Sequence, residues 1–404
     1  MRNSILVGSV ASLALIASAC GEAPTSAAPT GGAENAIKGA AGGAMTMKVD
    51  PNGTRWIPRR RVVTFDESPT ASVVPTRQPR PALSKAATLS DIELAKKTRA
   101  IMLDVDDVEY EMDADQALEF ARAVKAKMLR GVQDEADSAF GEGETPTVSP
   151  SIQTLNNGVF NGESRVNMNA YAQNYPWNLI GHQGDYNVSP PTPGCTIFKL
   201  INHYTAVTSA HCVYGSGGWT ARKDLRFSAG SATPRGVLPR QCYAITVPGG
   251  WSSDVGDDEY DYAVIRLREG GSTGAWCNYN DYNTGYFGYR GVSGCTTNVS
   301  GDMAGYPAKT GPGAWPPGAW TYPTLFNDYR TNGWTSCVTY PNHLWYYNDN
   351  CGGQSGAPFW TNYSGSYKVR AINMAIFTGV FDDSNGGRRI EQDVIDFFNA
   401  NKGY

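Results

Sequence analysis

From about residue 151 to its end the chain is a succession of short β-prone runs, each cut off by Gly, Asn, Asp or Pro. Thr196-Ile197-Phe198, Thr205-Ala206-Val207, Ala244-Ile245-Thr246-Val247 and Ala263-Val264-Ile265 are examples. Branched and aromatic side chains in runs this short fit strands and leave too little length for helices. About 250 residues of this pattern predict an all-β fold built as two β-barrels. One helix closes the chain, with Ile390, Val394, Phe397 and Phe398 on its apolar face. The composition agrees with a turn-rich, exported β protein: Gly 45, Tyr 22 and Trp 10, with only 18% charged residues. A formal net charge of -4 offers none of the clustered cations that nucleic acid requires.

The N-terminus carries Arg2 and then an apolar run from Ile5 to Ala19. A charged start, about 15 apolar residues and Ala17-Ser18-Ala19 predict a secretory signal over residues 1–19. The run is shorter than the roughly 20 residues that span a bilayer. Cys20 comes directly after the small residues, so Leu15 to Gly21 resembles a bacterial lipobox with Cys20 as the lipidated residue; ordinary cleavage after Ala19 fits as well. Residues 20–45, rich in Gly, Ala, Ser and Pro, predict a flexible tether.

Residues 46–150 differ from the β-prone remainder of the chain, with no cysteine, few aromatics and many charges. Arg59-Arg60-Arg61 and the stretch 69–82 read as extended. Ser90 to Leu103 and Asp113 to Leu129 read as amphipathic helices, and Gly141 to Pro150 as an exposed linker. This region is expected to be a partly helical pro-segment or a retained adaptor, ahead of a catalytic domain over 151–404. Seven cysteines (195, 212, 242, 277, 295, 337 and 351) lie in that domain, and export favours disulfides. With seven, one thiol is free or pairs elsewhere. No CxxC or HExxH occurs, so the sequence supports no metal site.

Three segments carry chemistry. In Thr205-Ala206-Val207-Thr208-Ser209-Ala210-His211-Cys212 an apolar strand ends on a histidine. In Asp261-Tyr262-Ala263-Val264-Ile265 an aspartate opens an apolar strand. In Cys351-Gly352-Gly353-Gln354-Ser355-Gly356-Ala357-Pro358 a serine sits in a glycine-rich turn. Each alone has a structural reading; together, in the order His, Asp, Ser, they form a nucleophile, base and orienter set. A serine hydroxyl is a weak nucleophile, so His211 would take the proton of Ser355 and Asp261 would fix the imidazole tautomer. The N–H groups of Gly353 and Ser355 would form the oxyanion hole. Activity is then expected to fall at acidic pH as His211 is protonated. An α/β-hydrolase would order its triad Ser, Asp, His.

Thr208-Ser209-Ala210-His211-Cys212 resembles the TAAHC motif of chymotrypsin-type serine proteases, and Gly353-Gln354-Ser355-Gly356-Ala357-Pro358 their GDSGGP motif. Asp261-Tyr262-Ala263-Val264 is similar to their aspartate motif. The subfamily it most resembles is that of the bacterial glutamyl endopeptidases, whose serine motif is often GGQSGSP; Gly285-Tyr286-Phe287-Gly288-Tyr289 and Gly305-Tyr306-Pro307 also fit it. The resemblance spans roughly 160–404. It implies two six-stranded β-barrels, endopeptidase activity on protein or peptide substrates, no cofactor and a monomer. It also implies a Cys195–Cys212 bridge, with Cys337 pairing Cys351.

Two departures stand out. The position before the nucleophile holds Gln354, which cannot form the ion pair that switches on chymotrypsin-like zymogens, so activation should rest on removal of the pro-segment. Counting back from Gly387-Arg388-Arg389-Ile390, Phe377 stands where the subfamily has its pocket histidine, followed by Thr378. Asp349, six residues before the nucleophile, matches the pocket-floor aspartate of trypsin-like enzymes. Basic, glutamate and apolar P1 residues all stay open. The competing reading is a surface-anchored binding protein on a protease scaffold that has lost catalysis; an esterase using the same triad is a third.

Overall fold

The computed structural model describes residues 45–62, 76–77, 88–130, 135–136, 165–186, 194–231, 234, 236–267, 284–291, 299–307, 324–336, 340–348, 352–377 and 385–404. They form two large β-sheets, a two-stranded ribbon of Tyr214–Gly215 with Gly218–Trp219, and helices that include the C-terminal Gln392–Asn401. The all-β expectation and the closing helix therefore hold.

The first sheet has 11 strands. Its part from residue 180 onward runs Tyr243–Pro248, Ala263–Leu267, Thr205–Thr208, Thr196–Lys199, Ile180–Gly184, Asp224–Phe227 and Gly236–Leu238, each antiparallel to the next. The second sheet has 10 strands. Six of them pair in a cycle: Pro358–Tyr363, Val299–Gly305, Phe326–Ser336, Tyr340–Tyr346, Asn385–Arg389 and Ser366–Phe377, which returns to Pro358–Tyr363.

The first sheet shows no such cycle among its described pairings. Ala100–Leu103, from the N-terminal region, occupies the free edge of Tyr243–Pro248, with Ile245 opposite Leu103 and Val247 opposite Ile101. Val108–Met112 and Arg55–Arg61 extend the sheet beyond it. This corrects one expectation: the first helix is Asp91–Thr98, and 100–103 is strand. The helix starts where expected, with Ser90 and Glu93 forming a capping box. It stops because the apolar residues Ala100, Ile101, Met102 and Leu103 are all buried along the partner strand, whose ladder outweighs a periodicity that also suits a helix. The second helix, Ala114–Leu129, starts from its Asp113 cap as expected.

One continuous apolar core joins Trp56, Leu94, Tyr110 and Ala121 to Val207, Ile245, Trp251 and Phe397. The described residues before 130 thus share one core with those from 168 onward.

Candidate active site

Register explains why His211 and Asp261 meet. Thr205–Thr208 lies antiparallel to Ala263–Leu267, with Thr208 opposite Ala263. The chain leaving the first strand and the chain entering the second therefore sit at one end of the sheet. Beyond Thr208 a short 3-10 turn, Ala210–Cys212, carries His211. A similar turn, Asp258–Tyr260, delivers Asp261. Asp261 is fully buried and grips His211 twice: Oδ1 accepts the backbone N–H at 2.9 Å, and Oδ2 lies 2.7 Å from Nδ1. A carboxylate on Nδ1 fixes that nitrogen as the protonated one and leaves Nε2 as the acceptor. Nε2 is itself buried, without a hydrogen-bond partner among the described residues. The Trp251 ring packs beside the imidazole, 6.5 Å between centroids, and its own N–H donates to Tyr214 O at 2.9 Å.

The loop holding Asp261 is anchored from behind by Arg388. Its Nε donates to Glu259 O at 2.6 Å, and its other nitrogens meet Asp393 at 2.7 Å and Glu391 at 2.9 Å. Burial alone would lower the Arg388 pKa; Asp393 and Glu391 outweigh it and raise it, so the guanidinium stays charged. Burial, with Asp393 nearby, pushes the Tyr262 hydroxyl far above its ordinary range, so it stays neutral.

Ser355 belongs to a tight turn that leads into Pro358–Tyr363 of the second sheet. Gly353 and Gly356, at φ +89° and +82°, supply the left-handed conformations that the turn needs. Three residues pin it to the first sheet and to its neighbours. Thr196 N–H donates to Ser355 O at 2.9 Å, and Thr196 Oγ1 donates to Gly353 O at 2.9 Å while accepting the N–H of Tyr306 at 2.9 Å. Asn373 accepts on its backbone O from Gly356 N–H and from Ser209 Oγ, both at 2.8 Å, and its Nδ2 donates to Gln354 O at 2.8 Å. Arg165 Nη1 donates to Gln354 Oε1 at 3.0 Å. The serine turn also lies close against Thr208 and Ser209, which precede Ala210 and His211: a Cβ on Gly356 would stand 2.2 Å from Thr208 Oγ1 and 3.1 Å from Ser209 N. Among the described residues the Nε2–Oγ hydrogen bond itself is not formed, and the Gly353 and Ser355 N–H groups donate to nothing. Catalytic hydrogen bonds often tighten only with substrate present.

Cys195 and Cys212 are joined in a disulfide, stapling the strand Thr196–Lys199 to the His211 turn. Cys242 is also disulfide-bonded, so no thiol is free among the described residues. Asp349, Thr378, Cys337, Cys351 and Cys20 lie outside the described residues. Phe377 ends the strand Ser366–Phe377, and its side chain lies outside them too. Sequence reasoning missed Thr196, Asn373 and Trp251. Asn373 alone carried a signal, a polar residue inside the apolar run Ala371-Ile372-Asn373-Met374.

A His–Asp pair lies at the end of one β-sheet, and a serine sits in a glycine-rich turn that leads into the second. The chain belongs to the protease family of the extracellular metalloprotease of Bacillus subtilis (strain 168), with 30% identity over 271 residues, 66% of this chain and 76% of that relative. No family model matches the chain. Similar solved structures include a Glu endopeptidase in complex with MPD, at TM-score 0.42 and 18% identity over 59% of this chain and 96% of that one. A thermostable serine protease, AL20, from an extremophilic microorganism aligns at TM-score 0.38 and 16% identity, over 55% and 95% of the two chains. The protease Anisep of Arthrobacter nicotinovorans aligns at TM-score 0.38 and 20% identity, over 51% and 87%.

The relative's name implies a metal, and the donor set among the described residues does not fit one. The one grouping of three or more potential ligands among the described residues is Cys195, His211 and Cys212. Its two sulfurs are bonded to each other and cannot act as thiolates, and His211 Nδ1 is held by Asp261.

Proposed function

We propose that the protein is an exported serine endopeptidase, made as a precursor, that cleaves protein or peptide substrates through an acyl-enzyme intermediate. The observation that carries this reading is the two-point grip of Asp261 on His211, with Nε2 left without a hydrogen-bond partner among the described residues and the serine turn tied through Asn373 to Ser209. In the first step Nε2 takes the proton from Ser355 Oγ as Oγ bonds to the scissile carbonyl carbon. The carbonyl oxygen becomes an oxyanion, which the Gly353 and Ser355 N–H groups would receive. Collapse breaks the C–N bond, and the imidazolium gives its proton to the leaving amine. Water then attacks the acyl carbon, Nε2 again taking the proton, and Oγ leaves as the hydroxyl. Asp349, Phe377 and Thr378 are assigned to the primary specificity pocket, with P1 basic, glutamate or apolar. Export rests on residues 1–19, with Cys20 as the candidate lipid anchor, and the working form is a monomer.

Intact-mass analysis with a fluorophosphonate probe tests the reading. One adduct mapping to Ser355, absent from Ser355→Ala, is expected. A purified chain that hydrolyses peptides without ever accepting the probe at Ser355 would overturn it.

A further inference from the structure

The N-terminal region is joined to the catalytic domain by more than the connecting chain. Ala100–Leu103 fills the edge of Tyr243–Pro248, a strand whose six residues are all buried. Unpaired, that edge would present an apolar row of free N–H and C=O groups, a template for aggregation. Trp56 and Leu94 are fully buried within the common core.

The polar contacts are equally committed. Arg266, 1% exposed, meets Asp50 at 3.0 Å, and the same carboxylate accepts from Trp56 Nε1 at 2.9 Å. Removing one partner of such a buried pair leaves an uncompensated charge. Trp219 Nε1 donates to Glu109 at 2.7 Å, and Arg222 donates to Asp104 O at 2.8 Å. Lys127 meets Asp396 of the C-terminal helix at 2.7 Å.

A further set of contacts stands directly behind the catalytic histidine. Gly249 N–H donates to Arg99 O at 2.7 Å, in the short helix Gly249–Ser253 that carries Trp251. Lys97 meets Asp257 at 3.2 Å and lies over the Tyr260 ring, on the turn that delivers Asp261. None of the region's hydrogen bonds or ion pairs among the described residues reaches His211 or Ser355.

We propose that residues 45–130 remain in the mature protein as a non-covalently held light chain. It completes the first sheet and braces the Trp251 and Asp261 loops. Processing would then sever the connection ahead of Arg165 without releasing what lies before it. The region adds strands to an open edge, a mode of association in which main-chain hydrogen bonds give affinity and side-chain pockets give specificity. The proposal rests on the protease reading only for its activity readout.

The test uses the full chain with a site for an unrelated sequence-specific protease inserted within 141–150. In the Ser355→Ala background, where self-digestion is blocked, the chain is cut and gel-filtered under native conditions. Co-elution of the two fragments, separated only by denaturant, is expected; this outcome does not depend on the chemistry at Ser355. Fragments that part under native conditions overturn the proposal. In the cut chain Asp50→Ala should weaken association by on the order of 10²-fold, while Ile92→Ser, at an exposed site, leaves it unchanged. If Asp50→Ala does not fold, co-elution of the otherwise unmodified cut chain decides. In the chain with Ser355 intact, turnover should survive the cut and gel filtration. Turnover that rises severalfold as the fragment leaves would make the region an inhibitor and overturn the light-chain role.

Discussion

Replacing Gly356 with Ala should disable the enzyme while leaving most of the fold in place, and the size of the effect can be worked from the turn. Gly356 has φ +82°, where an L-residue costs roughly 1–2 kcal/mol. A Cβ there would also stand 2.2 Å from Thr208 Oγ1 and 2.3 Å from Thr196 O. The second atom is backbone, so rotating a side chain away gives no relief. To restore van der Waals contact the serine turn must retreat by about 1 Å from Thr196, on the strand paired with the one that leads to His211. A misplacement of about 1 Å at a reacting group costs on the order of 10²-fold in rate. The comparison is Gly365→Ala, at φ +90° in the Ser364-Gly365 hairpin turn with nothing within 4 Å of the added methyl. That variant bears the conformational cost alone, about 1–2 kcal/mol, and its site is untouched. The assay is the second-order rate of fluorophosphonate labelling at Ser355, read beside the thermal midpoint. Both variants should lose a few degrees; only Gly356→Ala should lose labelling, by on the order of 10²-fold. Equal labelling rates in the two would refute the placement of Ser355 against the His211 strand.

The same geometry sets other expectations. Thr196→Val removes the hydroxyl that joins Tyr306 N–H to Gly353 O; the unfolding free energy from urea denaturation should fall by about 1–3 kcal/mol, with kcat reduced more than KM is changed. The double variant Cys195→Ser, Cys212→Ser opens a loop of sequence separation 17 and should cost about 3 kcal/mol, read from urea denaturation beside the wild type without reductant. Burial pushes the Asp302 carboxyl up from 3.8 to about 6; the Asn327 amide opposes this and Asp328 adds to it. A folded pKa above the unfolded one favours the protonated form on folding, so this stability is full below about pH 4 and is lost as pH rises through 6. Asp302→Asn should flatten that decline and be more stable at pH 8 by about 1–2 kcal/mol; parallel pH profiles for variant and wild type would rule the assignment out.

What the sequence shows of this protein is what depends on neighbours in the chain. The strands flanking His211 and Asp261, the Ser90 and Asp113 caps and the glycines around Ser355 are local patterns with local causes. The order of the three chemistry-bearing segments was legible for the same reason. Thr196 and Asn373 were not, because their roles depend on register: which strand lies opposite the serine turn is set by pairings across the two sheets. The run from Ala100 to Leu103 continued a helical periodicity and became strand only because Tyr243–Pro248 offers it a ladder. The same long-range pairing hid the union of the N-terminal region with the catalytic domain, which composition alone divides in two.

The central claim is that Ser355, and not a bound metal, is the reactive centre. It is tested most directly by measuring peptide hydrolysis after exhaustive chelation, beside the Ser355→Ala variant. Turnover that persists through chelation and disappears in Ser355→Ala is the predicted result. Turnover abolished by the chelator, restored by zinc and retained in Ser355→Ala would contradict it.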